Sequence, residues 1–353
     1  PWQLQFISRL YYCRMKLNKQ KKVLKLLVLV MVLSALIIGY FGFVRTFVPS
    51  QVSPLTPTSS YRIKITPGNI SNIVGQFNAQ GLNASWLEVQ VLSRLLLISK
   101  KLKPGVYDFP PGASLGKVLW KLGQGDSVRL SVTLIEGWTF DQFKAAVNQQ
   151  PELVKVYKTS SPVDILKGIG AKERHPEGLF YPDTYLYEPG DSDEMIYKKA
   201  YQAMTNHLDK AWNQTSDRSQ LKSAYELLKL ASIIEKETGK REDQKLIAAV
   251  FHNRLKLGMK LQTDPTVIYG MGSSFDGNLR KRDLLKDGPY NTYTRKGLPP
   301  TPICMPGKDA LIAASKPAES KVLYFVAKGD GNSHFSETLS AHERAVSRYQ
   351  LGK

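Results

Sequence analysis

The stretch that most constrains this chain is "LLVLVMVLSALIIGYFGFV", Leu26 to Val44, nineteen residues without a charge. A helix of that length reaches roughly 28 Å, close to the hydrocarbon thickness of a bilayer. Ahead of it, residues 1 to 25 carry Arg9, Arg14, Lys16, Lys19, Lys21, Lys22 and Lys25 and no acid. Basic flanks stay on the cytoplasmic side. The expected layout is a cytoplasmic basic tail over 1–22 and a single transmembrane helix over 23–45. The rest lies outside an inner (cytoplasmic) membrane. A cleaved signal peptide is the competing reading, but its apolar region usually runs only ~7–15 residues before a small-residue cleavage site. Neither property fits here. Met15 opens "MKLNKQKKVLKLL", a natural start for an anchored protein, so residues 1 to 14 read as upstream sequence. The mass of the native protein tests that.

Charge matters because of where it sits. The chain carries a formal +19; taking away the seven basic residues of the tail leaves +12 on the remainder. A basic balance calls for anionic surroundings. Outside a membrane there is little nucleic acid to meet, so no nucleic-acid partner is expected. The two cysteines, Cys13 and Cys304, flank the apolar run on opposite sides, and a structural disulfide between them is not expected. With 353 residues, 42% of them hydrophobic, the chain has room for two cores.

Beyond the apolar run, "TFVPSQVSPLTPTSS" reads as a linker over 46–60. Residues 61–135 alternate short strands ("YRIKI", "LKPGVYDF", "VRLSVTLIEG") with helical patterns ("NISNIVGQFNAQG", "SWLEVQVLSRLLLISK", "SLGKVLWKLGQG"). This predicts a small α/β domain. Gly112-Ala113-Ser114-Leu115-Gly116 matches the G-x-S-x-G of hydrolases. That motif needs a strand directly before it; Pro110-Pro111 stands there instead, so Ser114 reads as a helix N-cap. From 136 to 353 the pattern is mostly helical with short strands, interrupted by a long irregular stretch over 261–307. The fold class expected is therefore α+β: one membrane helix, a small α/β domain and a larger, mostly helical domain.

The chemistry points to carboxylates. The five histidines form no metal-ligand spacing, no phosphate loop is present, and no cofactor or metal is expected. In "KLASIIEKETG", helical geometry puts Leu227, Leu228, Ala231, Ile234 and Glu235 near one another, with Lys236 and Glu237 drifting toward solvent. Glu235 then sits at the rim of an apolar face. Desolvation there raises a carboxyl pKa, and a neutral acid can protonate a leaving oxygen, the first step of glycoside cleavage. The plainer alternative is a surface glutamate. However, Lys236 does not face it and position 239 is a glycine. Around it, Asn253, Gln262, Tyr269, Tyr290, Asn291, Thr292 and Tyr293 are the amide, hydroxyl and aromatic types that bind sugars in open clefts. Turn and cap chemistry would explain some of them equally well.

Taken in order, "EGLFYPDTY" (177–185), "LASIIEKETG" (230–239), "VFHNRL" (250–255), "LQTDPTVIYG" (261–270), "YNTYTRKGLPPTPI" (290–303) and "LYFVAKGDGNSHFSETLSAHERAV" (323–346) resemble the endolytic murein transglycosylase family, also called YceG-like. The resemblance runs over about 61 to 350. It implies a LysM-like domain over 61–135 and a catalytic domain over 136–353. It also implies non-hydrolytic cleavage between N-acetylmuramic acid and N-acetylglucosamine that leaves a 1,6-anhydro end. Glu235 is the implied catalytic residue, with Glu177, Asp183, Asn253, Gln262, Asp264, Tyr290 and Asn291 in or near the cleft. The implied partners are peptidoglycan strands and, beside a membrane, the peptidoglycan synthases that make them. A hydrolytic muramidase, with Glu177 or Asp264 as second carboxylate, and a non-catalytic glycan-binding scaffold are the rival readings.

Overall fold

A computed structural model describes residues 2–49, 60–215, 217–238 and 240–351. The chain is mixed α+β and divides into two compact units, Pro1–Arg129 and Leu130–Lys353.

The first unit opens with a long helix, Trp2–Gly39 (α1), which continues into a π-helical turn, Tyr40–Val44. Within it, Lys19–Val44 is long and apolar enough to cross a membrane, and almost none of that surface is covered by protein. The helix thus extends well into the basic tail. Tyr61–Ile65 (β1) pairs antiparallel with Gly105–Phe109 (β2), Ile63 opposite Tyr107. Between them lie Ile70–Ala79 (α2) and Trp86–Leu95 (α3); Leu115–Gln124 (α4) follows. Ile63, Phe77, Val89, Leu92, Tyr107, Val118, Leu119 and Leu122 form the core. Each such burial contributes roughly 1.5–3 kcal/mol. The Ser114 hydroxyl accepts from Lys117 N at the start of α4, an N-cap. The expected linker begins inside this unit: Phe47 and Val48 donate to Ala113 O, and Val48 is fully buried. Residues 50–59 of that linker lie outside the described residues.

The second unit begins with Leu130–Thr133 (β3), which pairs antiparallel with Thr184–Tyr187 (β4). That pairing puts the boundary between units at 129/130, a little ahead of the expected 135/136. Phe140–Asn148 (α5), closed by a Thr139–Gln142 capping box, and Pro162–Ile169 (α6) lie between the two strands. Asp193–Asn213 (α7), Ala224–Glu237 (α8), Arg241–Lys256 (α9) and Asp264–Met271 (α10) follow. Lys281–Leu285 (α11) and Lys308–Ser315 (α12) precede the hairpin of Tyr324–Ala327 (β5) and Ser333–Ser336 (β6), and Leu339–Gln350 (α13) comes last. The stretch 261–307, expected to be irregular, holds α10, a 3₁₀ turn and α11; short polar helices leave little periodicity to read.

Helix α8 is the centre of this unit. It packs against α7, α9, α10 and α12. Leu227, Leu228, Leu230, Ala231, Ile233 and Ile234 are all fully buried, so the middle of the helix is enclosed on most sides, with Lys229 half-buried. An aromatic cluster of Phe140, Phe143, Phe180 and Tyr197, with ring centroids 4.9–6.4 Å apart, packs beneath the loop that carries Glu177.

Candidate active site

Two glutamates, Glu235 and Glu237, occupy the last turn of α8. That end of a helix is electrically unfavourable for a carboxylate. Their side chains go to different places.

Glu235 is half-buried, and its Oε2 accepts a 3.0 Å bond from Gly307 N, the N-cap residue of α12. Residues 303–307 are strapped along α8. Ile303 N donates to Ser232 Oγ at 3.0 Å, and the Cys304 thiol donates to Ser232 O at 3.3 Å. Two bonds tie the same strap to the turn after β3: Gly137 N to Met305 O (2.8 Å) and Met305 N to Trp138 O (2.7 Å). This brings Glu136 over Gly307. A methyl group on Gly307 would lie 2.0 Å from Glu136 Oε1, so the glycine leaves room for that carboxylate. Burial, first, and then the negative charges of Glu136 and Asp309 raise the Glu235 pKa. The Gly307 N–H and the Lys236 ammonium act in the other direction. The net direction is upward, toward the protonated form.

Glu177 is buried, 3% exposed, and both its oxygens are taken: Oε1 by Phe140 N and Oε2 by the Tyr269 hydroxyl, each at 3.0 Å. Burial pushes its pKa up to about 7. The Tyr269 ring meets Tyr290 edge-on at 5.0 Å, and the Tyr290 hydroxyl bonds Thr301 Oγ1 at 2.8 Å, just ahead of the strap. The Cys304 thiol is raised by burial and by the charges of both Glu235 and Glu177. Glu177 and Tyr290 therefore join the neighbourhood of Glu235.

Glu237 does not drift to solvent as the periodicity implied. It accepts from the Thr263 hydroxyl, and burial pushes its carboxyl up to about 7. It lines a cavity of about 610 Å³ with Arg254, Gln262, Asp264, Tyr293 and Tyr324. The Arg254 guanidinium is spent on the carbonyls of Leu323 and Leu261, 2.7 Å each. The Asp264 carboxylate accepts from the Tyr293 hydroxyl.

Three residues expected near the cleft have backbone partners. Asn253 Nδ2 clamps Ser320 O and Val322 O. Buried Asn291 bonds the carbonyls of Asp283, Leu284 and Lys286. Asp183 is exposed at the start of β4, bonded to the Thr184 amide. Half-buried His252 bonds Ala314 O at 2.8 Å through its Nε2. Glu136, Ser232 and Gly307 were not singled out by sequence reasoning. Two glycine turns, "IEGW" and "MPGK", were the available signals.

A family model described as the YceG-like family matches residues 63–348. An endolytic murein transglycosylase of Bacillus subtilis is 33% identical over 266 residues, 70% of this chain and 73% of that protein. The protein of that name in Streptococcus pneumoniae serotype 2 is 28% identical over 352 residues, 89% of this chain and 63% of that protein. This chain thus spans less than two thirds of the pneumococcal relative. The crystal structure of a yceG-like protein from Listeria monocytogenes superposes with a TM-score of 0.52 at 31% identity, covering 81% of this chain and 99% of that one. With most of its length matched by the family model and 33% of the positions aligned with the Bacillus relative identical, this chain belongs to the YceG-like family.

Proposed function

We propose that this chain is a membrane-anchored lytic transglycosylase that cuts peptidoglycan strands internally, with Glu235 as its single acid and base. The observation that carries this reading is the setting of Glu235. Enclosed by α8, the strap and Glu136, the carboxyl has its proton affinity raised, the direction that favours giving a proton to a glycosidic oxygen. Once the proton is given up, the carboxylate is stabilised by the Gly307 N–H at the start of α12. It then takes a proton from the muramic 6-hydroxyl as that oxygen attacks C1. The C1–leaving-oxygen bond breaks, a 1,6-anhydro ring forms, and Glu235 is protonated again without water being consumed.

A hydrolase needs a second carboxylate to activate water or act as nucleophile. Of the two carboxylates named for that role, Glu177 spends both oxygens on protein donors and Asp264 accepts from Tyr293. Tyr269 and Tyr290, and the cavity beside Glu237, offer aromatic and hydroxyl surface to a glycan. The small unit, with two helices between two paired strands, is the part we assign to LysM-like glycan contact. Held at an inner membrane with its basic end in the cytoplasm, such an enzyme meets newly made strands and would terminate their growth beside the synthases.

Digestion of purified sacculi tests this. The chain should release fragments with the mass of anhydro ends, and Glu235→Gln should lower that rate by about 10²–10⁴-fold with the fold retained. Reducing ends would instead establish the hydrolase, and undiminished function of Glu235→Gln in cells would establish the scaffold.

A further inference from the structure

The strongest unexplained feature outside the candidate site is an apolar end of the first unit. Leu95, Leu97 and Trp120 are 62%, 80% and 52% exposed. Leu97 is held at φ 57°, a left-handed conformation that suits glycine and strains a leucine. In water that side chain has nothing to pack against.

The position of these residues along the anchor identifies what covers them. Helix α3 runs antiparallel to the end of α1. Arg45 pairs with Glu88 at 3.3 Å, Leu92 fills the space beside Gly42, and Ile38 packs on the same core further down. Helix α4 repeats the pattern: Ser114 bridges Thr46, and Gly116 lies against Phe43 and Gly42 O. Trp120, one turn beyond Gly116, and Leu95, two turns beyond Glu88, therefore descend along the uncharged run. At ~1.5 Å per residue Leu95 lies roughly 10 Å below the Arg45–Glu88 pair, deeper than the interfacial layer of a bilayer. Arg94, Lys100 and Lys101 are exposed around this end, and residues 89 to 107 contain no acid. Basic side chains reach anionic headgroups while their stems lie in the apolar layer, and tryptophan favours the same boundary.

We propose that this end of the first unit, the Leu95–Lys101 turn and Trp120, is immersed in a bilayer containing anionic lipid, alongside α1. The small unit is then seated in the membrane surface. This rests on the reading of α1 as a membrane anchor.

The test uses the full chain carrying Cys13→Ser and Cys304→Ser, in vesicles of phosphatidylglycerol and phosphatidylcholine. Single cysteines are spin-labelled at Leu97→Cys, Trp120→Cys, Leu87→Cys and Leu33→Cys. Collisions with oxygen, which partitions into lipid, are compared with those of a water-soluble nickel chelate. The Leu97 and Trp120 labels should favour oxygen several-fold over the Leu87 label, at the opposite end of α3, and approach the Leu33 label within the anchor. Nickel access at Leu97 and Trp120 equal to that at Leu87, with Leu33 protected, overturns this inference and leaves the anchor standing. Nickel access at Leu33 overturns both.

Discussion

At the scale of single residues, the site depends on how the charge of Glu235 is balanced. Glu136 raises its proton affinity, and Gly307 N–H lowers it. In the proposed mechanism the acid form is needed first, so the alkaline limb of the kcat/KM–pH profile should report the Glu235 pKa. Glu136→Gln removes a neighbouring negative charge, so that limb should move to lower pH while the rate at acidic pH holds. An unmoved limb would show that Glu136 only packs. Glu177 behaves differently. With its pKa near 7, the folded protein keeps a proton that the unfolded chain releases above the ordinary carboxylate range. Stability conferred by that proton is full only below the unfolded value of 4.5 and is lost as pH rises through about 7. Glu237 adds to the same trend. Glu177→Gln imitates the protonated form, so its Tm at pH 8 should exceed that of the wild type by ~2–4 °C and match it near pH 4.

At the scale of elements, the strap 303–307 decides where Glu235 points. Its bonds to Ser232, Met305–Trp138 and Gly307–Glu235 make one layered unit of α8, the strap and the turn after β3. Gly307→Ala meets only the tip of an exposed, flexible glutamate. Its stability cost should be small, under about 1 kcal/mol, yet it displaces Glu136 and should reproduce the pH shift of Glu136→Gln. Gly178 contrasts with it. At φ 80° and with a methyl group only 2.6 Å from the Pro302 ring, Gly178→Ala should cost at least about 2 kcal/mol and loosen the strap. Urea or thermal midpoints separate the two variants.

At the scale of the whole molecule, the end of the apolar helix α1 and the rest of the first unit share a core. Val48 and Ile38 pack with Phe77 and Leu92, so the first unit is joined to the end of α1 before residues 50–59 begin. The proposed topology predicts that alkaline phosphatase fused after Leu351 is active in intact cells, while a fusion after Lys25 is inactive. Equal activity of both would remove the outside placement on which access to peptidoglycan rests.

The sequence by itself determined the membrane-length apolar run, the order of most strands and helices, the Ser114 cap and the family. Each of these is written in local periodicity or in contiguous motifs. It also placed Glu235 at the edge of an apolar face, because 3.6-residue spacing acts within one helix. It misassigned Glu237 and did not show the backbone partners of Asn253 and Asn291. Those outcomes depend on partners far away in the chain: Thr263 for Glu237, Ser320 and Val322 for Asn253, and Gly307 with Glu136 for Glu235 itself. Periodicity records which side of a helix is apolar. Only tertiary packing decides which amide, hydroxyl or carboxylate meets the residue at its edge, and hence whether a buried acid keeps its proton.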